Sequence, residues 1–362
     1  MRRTRGSIID VVSLDDLDRR LAQGARSLSG WRLHSLDLTA RHVSLGTVDV
    51  AGALFLGCDL LPEDDASVRA RGAVVFPNIP SAPVDSYRTS LYAPAELFGE
   101  NGYRQSLDAR LYAWSQCDHS RSAALARALH DHNIGEALST WTQGRHIVGV
   151  MGGHSAQRGG ETYADGATIG HLLGQSCTVA TGGGPGAMEA VNLGAYLSTY
   201  DESVLAEALV KLAEVPSFMP NIALWAQAAF DVKQRFSNGA DSLGIPTWHY
   251  GHEPPNPFAS AIAKFFQNAQ REALLLEICD AGIVFLPGAG GTIQEIFQDA
   301  CENYYADESS IAPMILVGRE YWTEQFPAWQ LLKALAHGRP MQDHVHLVDS
   351  VQDAAALVSS SA

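Results

Sequence analysis

Three glycine-rich turns, at residues 152–155, 181–186 and 287–291, carry the residues of this chain whose types and spacing could do chemistry. Each turn follows a short apolar run that predicts a strand, and helix-like sequence follows each turn. Glycine lets the backbone approach a ligand closely, and a helix that begins after such a turn presents N–H groups to an anion. One such turn is equally well a tight connection, but three at one edge of a sheet predict a site for an anion of nucleotide size.

Two glutamates lie in the first turn of the helices predicted after these glycine-rich turns. Glu295 comes about one helical turn after Gly291 and Thr292, and Glu189 has a similar place after Gly186. A carboxylate there either faces the mouth of the anion site or is favoured only by the helix dipole. Facing the mouth, it could act as a general acid or base on a bound ligand, or stabilise positive charge that develops there.

The elements that must position these turns are predicted by an alternation of strand-like and helix-like segments after residue 146. Strand candidates cover 146–150, 177–180, 243–250, 282–286 and 314–317, and helix candidates include 163–173 and 258–279. Such alternation indicates a parallel sheet with helices on both faces, which binds ligands at the carboxyl ends of its strands. We therefore expect an α/β fold over residues 141–362, with a Rossmann-like, doubly wound parallel sheet.

Residues 1–140 predict an extra, partly β domain, in keeping with the prior of about two domains for a chain of 362 residues. Within residues 33–60, apolar positions recur five apart in two sets whose phase slips by two. This spacing indicates either a short pentapeptide-like β-coil or two or three ordinary strands. A helix is predicted over 106–136, and the domain boundary near residue 140.

Composition excludes several classes of protein. The formal charge of −15, from 40 acidic and 25 basic residues, disfavours long nucleic acid and membrane surfaces as partners. No G-K-S or G-K-T occurs, which excludes a P-loop, and few lysines could form a pyridoxal Schiff base. Five dispersed cysteines and scattered histidines predict neither a metal site nor a cofactor. Because residues 1–21 lack the apolar run of a signal peptide, we expect a cytoplasmic location.

The second and third turns together resemble those of a known family. Residues 182–189 read G-G-G-P-G-A-M-E, and residues 287–295 read P-G-A-G-G-T-I-Q-E. Both stretches, in this order, are similar to the hallmarks of LOG (LONELY GUY)-type phosphoribohydrolases and of pyrimidine/purine nucleotide 5′-monophosphate nucleosidases, a family often labelled "lysine decarboxylase". The similarity covers roughly residues 145–320. The chain departs from the family pattern at Ala289, where glycine is usual, and at Glu272, where a lysine follows the arginine that Arg271 matches.

The resemblance implies hydrolysis of the N-glycosidic bond of a nucleoside 5′-monophosphate, with no cofactor, by a homodimer or larger homo-oligomer. The base could be a common purine or pyrimidine or that of a cytokinin riboside. Glu295 and Arg271 would be catalytic, and the 5′-phosphate would lie on the third turn. The implied substrate-binding residues are Gly152, Gly153 and Ser155 of the first turn, Gly183, Gly184, Gly186, Met188 and Glu189 of the second, and Gly288, Gly290, Gly291 and Thr292 of the third.

A second hypothesis remains open beside hydrolysis. The departures at Glu272 and Ala289 are compatible with a nucleotide-binding regulatory protein that turns over little substrate. In that case residues 1–140 would transmit or receive a signal; otherwise they would serve as an oligomerisation or lid module.

Overall fold

A four-stranded and a seven-stranded parallel sheet organise the chain in the computed structural model, which describes residues 8–79, 82–250 and 253–361. Contacts divide the chain into two units. One comprises Met1–Ser90 with Gln116–Ala137, and the other comprises Leu91–Ser115 with Leu138–Ala362. The α/β prediction is confirmed. In the described part of the chain, no helix combines the length and apolar character that crossing a membrane requires.

The first unit is built from strands that alternate with short helices. Its elements in chain order are β1 (Ile9–Val11), α1 (Leu14–Ala22), β2 (Trp31–His34), α2 (His42–Thr47), β3 (Leu54–Leu56), α3 (Pro62–Ala70) and β4 (Val74–Phe76). The strands pair in sequence order and in parallel. Asp10 is level with Arg32, Arg32 with Leu54, and Leu54 with Val74, so each strand repeats its predecessor after 20 to 22 residues.

Of the two alternatives for residues 33–60, the structure shows ordinary strands, β2 and β3, and not a pentapeptide-like coil. Leu33 and Phe55 hold equivalent core positions on neighbouring strands, 22 residues apart. Within one 22-residue repeat, the apolar positions advance four times by five residues and once by two residues. The shift of two residues in the spacing therefore marks the start of the next repeat. The spacing from residue 50 to 60 fits a leucine-rich repeat, with Cys58 at the position of the polar residue. The Cys58 thiol donates to the Leu33 carbonyl at 3.3 Å and so bridges two repeats.

Two predictions about the elements need correction. The helix expected over 106–136 is two helices, α5 (Leu107–Cys117) and α6 (Arg121–Thr142). Ser120 separates them because its hydroxyl accepts a hydrogen bond from the Ala123 amide and caps α6. The helix expected over 258–279 begins only at Asn268, because Ala261–Ile262 pairs as an edge strand of the large sheet.

The seven-stranded sheet has the order β11-β10-β9-β5-β6-β7-β8. Its strands are β5 (Ile147–Met151), β6 (Thr178–Thr181), β7 (Ser242–Gly244), β8 (Ala261–Ile262), β9 (Ile283–Phe285), β10 (Met314–Val317) and β11 (Val345–Val348). The helices of this unit are α4 (Pro94–Phe98), α7 (Glu161–Leu173), α8 (Ala187–Tyr196), α9 (Glu202–Ala213), α10 (Ile222–Arg235), α11 (Asn268–Glu277), α12 (Gly290–Tyr305), α13 (Ala328–Ala336) and α14 (Val351–Ser361), together with most of α5. From β5 the chain first builds one side of the sheet, then returns to build the other from β9. The β5–β9 pair is therefore the switch point where such sheets bind ligands.

Residues 91–115, which the sequence places with the N-terminal segment, cluster with the second unit. A buried polar cluster anchors them, because Asp108 forms an ion pair of 2.7 Å with Lys264. The Asp108 carboxylate also accepts hydrogen bonds from the Trp248 indole at 2.8 Å and from the Tyr103 hydroxyl at 2.5 Å. The cluster thereby fixes the segment after β8 and the start of the 248–250 loop.

Replacing Asp108 by Ala leaves the fully buried Lys264 ammonium without its carboxylate. Breaking one side of a buried ion pair costs about 3–5 kcal/mol, so the free energy of unfolding of D108A should fall by about that amount. Urea unfolding followed by circular dichroism measures it. The exposed Glu100→Ala is the control and should stay within about 0.5 kcal/mol of the wild type. An equally small change in D108A would contradict the anchoring role.

Candidate active site

A cavity of about 610 Å³ opens at the switch point between β5 and β9. The first and third glycine-rich turns form much of its wall, because they follow β5 and β9 directly. Ten of the fourteen residues implied by the family resemblance line this cavity: Gly152, Gly153, Ser155, Met188, Arg271, Gly288, Gly290, Gly291, Thr292 and Glu295. The fold thus gathers residues up to 143 positions apart around one space.

The other four residues, all from the second turn, lie elsewhere. Gly184 lines a small neighbouring cavity that shares Met188 and Arg271 with the large one. Gly186 and Glu189 line a separate cavity of about 250 Å³. Gly183 has a φ of 71°, and a Cβ there would come within 2.9 Å of the Ile245 backbone nitrogen, so packing against the next strand requires glycine.

Glu189 is held in a buried ion pair. Its carboxylate accepts from Arg158 Nε at 2.8 Å, and both side chains are buried. Arg158 also donates to the Trp225 carbonyl at 3.1 Å and lies over the Trp225 ring. The pair therefore ties the start of α8 to α10 and to the segment before it. Nothing in the sequence near Glu189 indicates this partner 31 residues away.

The third turn presents open backbone to the cavity. It begins the 16-residue helix α12, and a Cβ built on Gly290 or Gly291 meets no atom within 4 Å. Helix N-termini of this kind attract anions through their N–H groups and the helix dipole. Gly288 packs directly against the Thr292 side chain and leaves no space for a Cβ. Ala289 has a φ of −102°, which lies outside the left-handed region that favours glycine.

Arg271 lies between two carboxylates on the wall of the cavity. Its Nη1 is 3.6 Å from Glu295 Oε1, and its Nη2 is 3.6 Å from Glu272 Oε1. The exposed fractions of Arg271, Glu272 and Glu295 are 7%, 2% and 9%. Burial raises the pKa of Glu295 to about 7; Arg271 opposes this shift and Glu272 adds to it. Glu295 can therefore hold or release a proton near neutral pH, which suits a general acid or base.

Glu272 is fixed by neighbours on both carboxylate oxygens. Asn268 Nδ2 donates to Oε1 at 2.7 Å, and the Gln294 side-chain amide donates to Oε2. Since Gln294 directly precedes Glu295 on α12, this contact joins α11 to the first turns of α12. The sequence identified Glu272 as a departure from the family, and the structure places its carboxylate inside the site.

Several lining residues have no signal in the glycine-rich turns. Tyr321 donates from its hydroxyl to the Gly288 carbonyl at 2.9 Å and so braces the third turn. Glu253 lies 3.9 Å from His154 on the opposite wall, and Tyr250 lies beside it. Tyr321 could have been suspected from its place just after β10, the strand next to β9. Within the described residues, no group of three or more His, Cys, Asp or Glu side chains could hold a metal ion.

The raised pKa of Glu295 makes a pH-dependent contribution to stability. The folded-state pKa of Glu295, about 7, exceeds the ordinary value of 4.5, so the folded protein binds more protons than the unfolded chain between these pH values. The contribution of Glu295 to the free energy of unfolding is therefore fully present below about pH 4.5. It is lost as the pH rises through 7, because the buried carboxyl then ionises. In Glu295→Gln that loss disappears. Relative to the wild type, the variant should gain about 3 kcal/mol in free energy of unfolding between pH 4.5 and pH 8.

Urea unfolding at pH 4.5, 6 and 8 measures this difference. Asp299, whose pKa burial raises to about 8, contributes its own pH dependence to both proteins, so the comparison isolates Glu295. Glu308→Gln, at an exposed position, is the control. A constant offset between E295Q and the wild type at all three pH values would show that Glu295 titrates normally.

Comparisons with known proteins found a family model and solved structures that match parts of this chain. A family model described as "Possible lysine decarboxylase" matches residues 222–360, which include Arg271, Glu272 and the third turn. Among solved structures, the chain is similar to the molybdenum cofactor binding protein from the phototrophic bacterium Rippkaea orientalis, at 16% identity and a TM-score of 0.37, over 60% of this chain and 98% of that one. It is also similar to the Moco carrier protein from Chlamydomonas reinhardtii, at 16% identity and a TM-score of 0.37, over 60% and 97% of the two chains.

No curated protein matches the chain. The family match agrees with the resemblance of residues 287–295 to the LOG hallmark, and it spans helices α10 to α14 with the strands between them. Residues 222–360 thus match the family whose model bears the lysine decarboxylase description, and the stretch 287–295 that resembles the LOG hallmark lies within that match.

Proposed function

We propose that this protein hydrolyses the N-glycosidic bond of nucleoside 5′-monophosphates to a free base and ribose 5-phosphate. The observation that carries the proposal is the pairing of Glu295 with Arg271 at 3.6 Å, on the wall of a cavity that also contains the open N-terminus of α12. A carboxylate beside an anion-binding turn fits a reaction that builds positive charge close to a phosphate.

The phosphate would lie on Gly290, Gly291 and Thr292. The backbone there is open, α12 contributes its dipole, and Tyr321 braces the turn through Gly288. A phosphate bound at this position fixes the ribose at one end. The sugar then extends toward Glu295, which comes one helical turn after Gly291 on the same helix.

Glu295 would act at the ribose C1′. In the reaction the C1′–N bond breaks, its electron pair stays with the base nitrogen, and a water oxygen bonds to C1′. The ionised carboxylate stabilises the positive charge on the ribose and accepts the proton that the water loses. The base takes up a proton as it leaves. With a pKa of about 7, Glu295 is substantially ionised at neutral pH and still able to receive that proton.

Arg271 would hold Glu295 in place and contact the substrate. Its guanidinium is largely buried, and its Nε has no hydrogen-bond partner among the described residues. A buried donor of this kind is costly unless a ligand or water satisfies it. A ribose hydroxyl or phosphate oxygen in the cavity would supply the acceptor.

The further parts of the proposal rest on the family resemblance. They are a substrate range that includes cytokinin riboside 5′-monophosphates and assembly as a homodimer or larger homo-oligomer. A cytoplasmic location is proposed from the five dispersed cysteines, which fit a reducing compartment. Glu189, Gly183, Gly184 and Gly186 are proposed to shape the approach to the ribose and base from the second turn.

A nucleotide-binding regulatory role is the second candidate. One observation favours it: Arg271 is already shared by two carboxylates, so its guanidinium is less available to polarise the leaving base, which would lower turnover. Tight binding of nucleotide without release of base would distinguish this role from hydrolysis.

Release of free base from AMP, GMP, CMP, UMP and isopentenyladenosine 5′-monophosphate tests the proposal. The wild type should release base from at least one of these, measured by chromatography. Glu295→Gln should lower kcat/KM by about 10³-fold, because it removes the carboxylate that stabilises the positive charge on C1′. Arg271→Ala should lower it by about 10²-fold, because it removes the group that holds Glu295 in place and contacts the substrate. Glu302→Gln, which removes an exposed carboxylate from the same helix, is the matched control and should keep full activity. No release from any substrate, with nucleotide still bound, would overturn the hydrolase and leave the regulatory role.

A further inference from the structure

We propose that Glu272 is a specificity-determining residue that makes the cavity accept nucleosides alongside their 5′-monophosphates. This inference rests on the proposed function and names its substrate class more closely. The observations behind it are the charges that line the cavity, the way Glu272 is fixed, and its closeness to the turn proposed for phosphate.

The cavity wall is unusually acidic for a site that binds a dianion. Among the described lining residues, Arg271 alone carries a permanent positive charge. Four carboxyl groups line the same space: Glu161, Glu253, Glu272 and Glu295. A phosphate dianion that enters this space meets more negative than positive side-chain charge, and in a partly dehydrated cavity that repulsion is weakly screened.

Glu272 makes the largest difference to this balance because it shares the guanidinium of Arg271. At 3.6 Å from each carboxylate, Arg271 is neutralised by either one alone when that group is ionised. The amides of Asn268 and Gln294 satisfy the Glu272 oxygens without adding charge. Counted at formal charges with Glu295 protonated, Arg271, Glu272 and Glu295 sum to zero. Their net charge becomes negative once Glu295 ionises.

The position of Glu272 directs this charge toward the phosphate turn. Its Oε2 accepts from Gln294, which lies two residues after Thr292 on α12. The carboxylate is thus held against the first turns of the helix whose N-terminus would bind phosphate. It opposes the favourable field of that N-terminus, so it penalises a negatively charged 5′-phosphate more than the uncharged ribose and base.

The ratio of kcat/KM for AMP to kcat/KM for adenosine isolates this effect, because both substrates share the base, the ribose and the reaction. In the wild type the ratio should lie within about tenfold of unity. In Glu272→Gln, which keeps the size of the side chain and removes its charge, the ratio should rise about tenfold; in Glu272→Lys it should rise about a hundredfold. Glu277→Gln removes a carboxylate from the exposed end of the same helix and should leave the ratio unchanged.

The pH profile supplies a second readout that a merely structural role would not move. Since Glu272 helps to raise the pKa of Glu295, the activity transition assigned to Glu295 should shift to lower pH in Glu272→Gln and stay in place in Glu277→Gln. If E272K fails to fold, E272Q with its preserved shape still decides the question.

Two outcomes would overturn the inference: an unchanged AMP-to-adenosine ratio in E272Q, or a wild-type ratio above about 10³. Failure of the proposed function is distinguishable from both. If neither substrate releases base, hydrolysis is rejected. The ratio of the dissociation constants of AMP and adenosine, measured by calorimetry for the wild type, E272Q and E277Q, then tests the same charge effect.

Discussion

A single guanidinium shared by two carboxylates, all three almost fully removed from water, governs the arrangement around the cavity. Arg271 and Glu272 lie on α11, whereas Glu295 lies on α12. Burying these groups is costly unless each finds its partners, so the spacing of the two helices is constrained by the need to keep Arg271 within reach of both carboxylates. Asn268 and Gln294 complete the arrangement from the same two helices. Strand β9 and the third turn, which connect α11 to α12, are thereby held at the edge of the cavity.

The sheet order determines what faces this charged group. Because β5 pairs with β9, the first turn lies against the third, and the Gly153 amide donates to the Pro287 carbonyl at 3.3 Å. The second turn follows β6, one strand further away, and its glycines serve contacts with neighbouring backbone at Ile245 and His154. Glu189 accordingly pairs with Arg158, whereas Glu295, at a similar place after its own glycine turn, faces the large cavity. Equivalent sequence positions thus acquire different surroundings from their place in the sheet.

A feature of this structure can be predicted from the sequence when the residues that cause it lie close together in the chain. The third turn and Glu295 were identified because a strand, a glycine turn and a helix start lie within about a dozen residues. For residues 33–60 the sequence leaves a coil and ordinary strands as alternatives, because the period of 22 that decides between them exceeds the window in which a spacing of five looks regular. Ala261–Ile262 was assigned to a helix because two residues are too few to show strand alternation. The pairings of Glu189 with Arg158 and of Asp108 with Lys264 join residues 31 and 156 positions apart, and no local pattern encodes them.

The two departures from the family hallmarks differ in physical weight. Ala289 has a negative φ, outside the left-handed region that favours glycine, and it adds one methyl group to the turn. Glu272 replaces a cation by an anion in contact with the arginine that the reaction would use, and no backbone adjustment compensates for a change of two charges. A substitution of this kind persists in a buried site only where its hydrogen bonds are satisfied, as those from Asn268 and Gln294 satisfy Glu272. The two departures therefore differ in kind, since Glu272 changes the charge of the cavity wall, whereas Ala289 adds one methyl group to a turn.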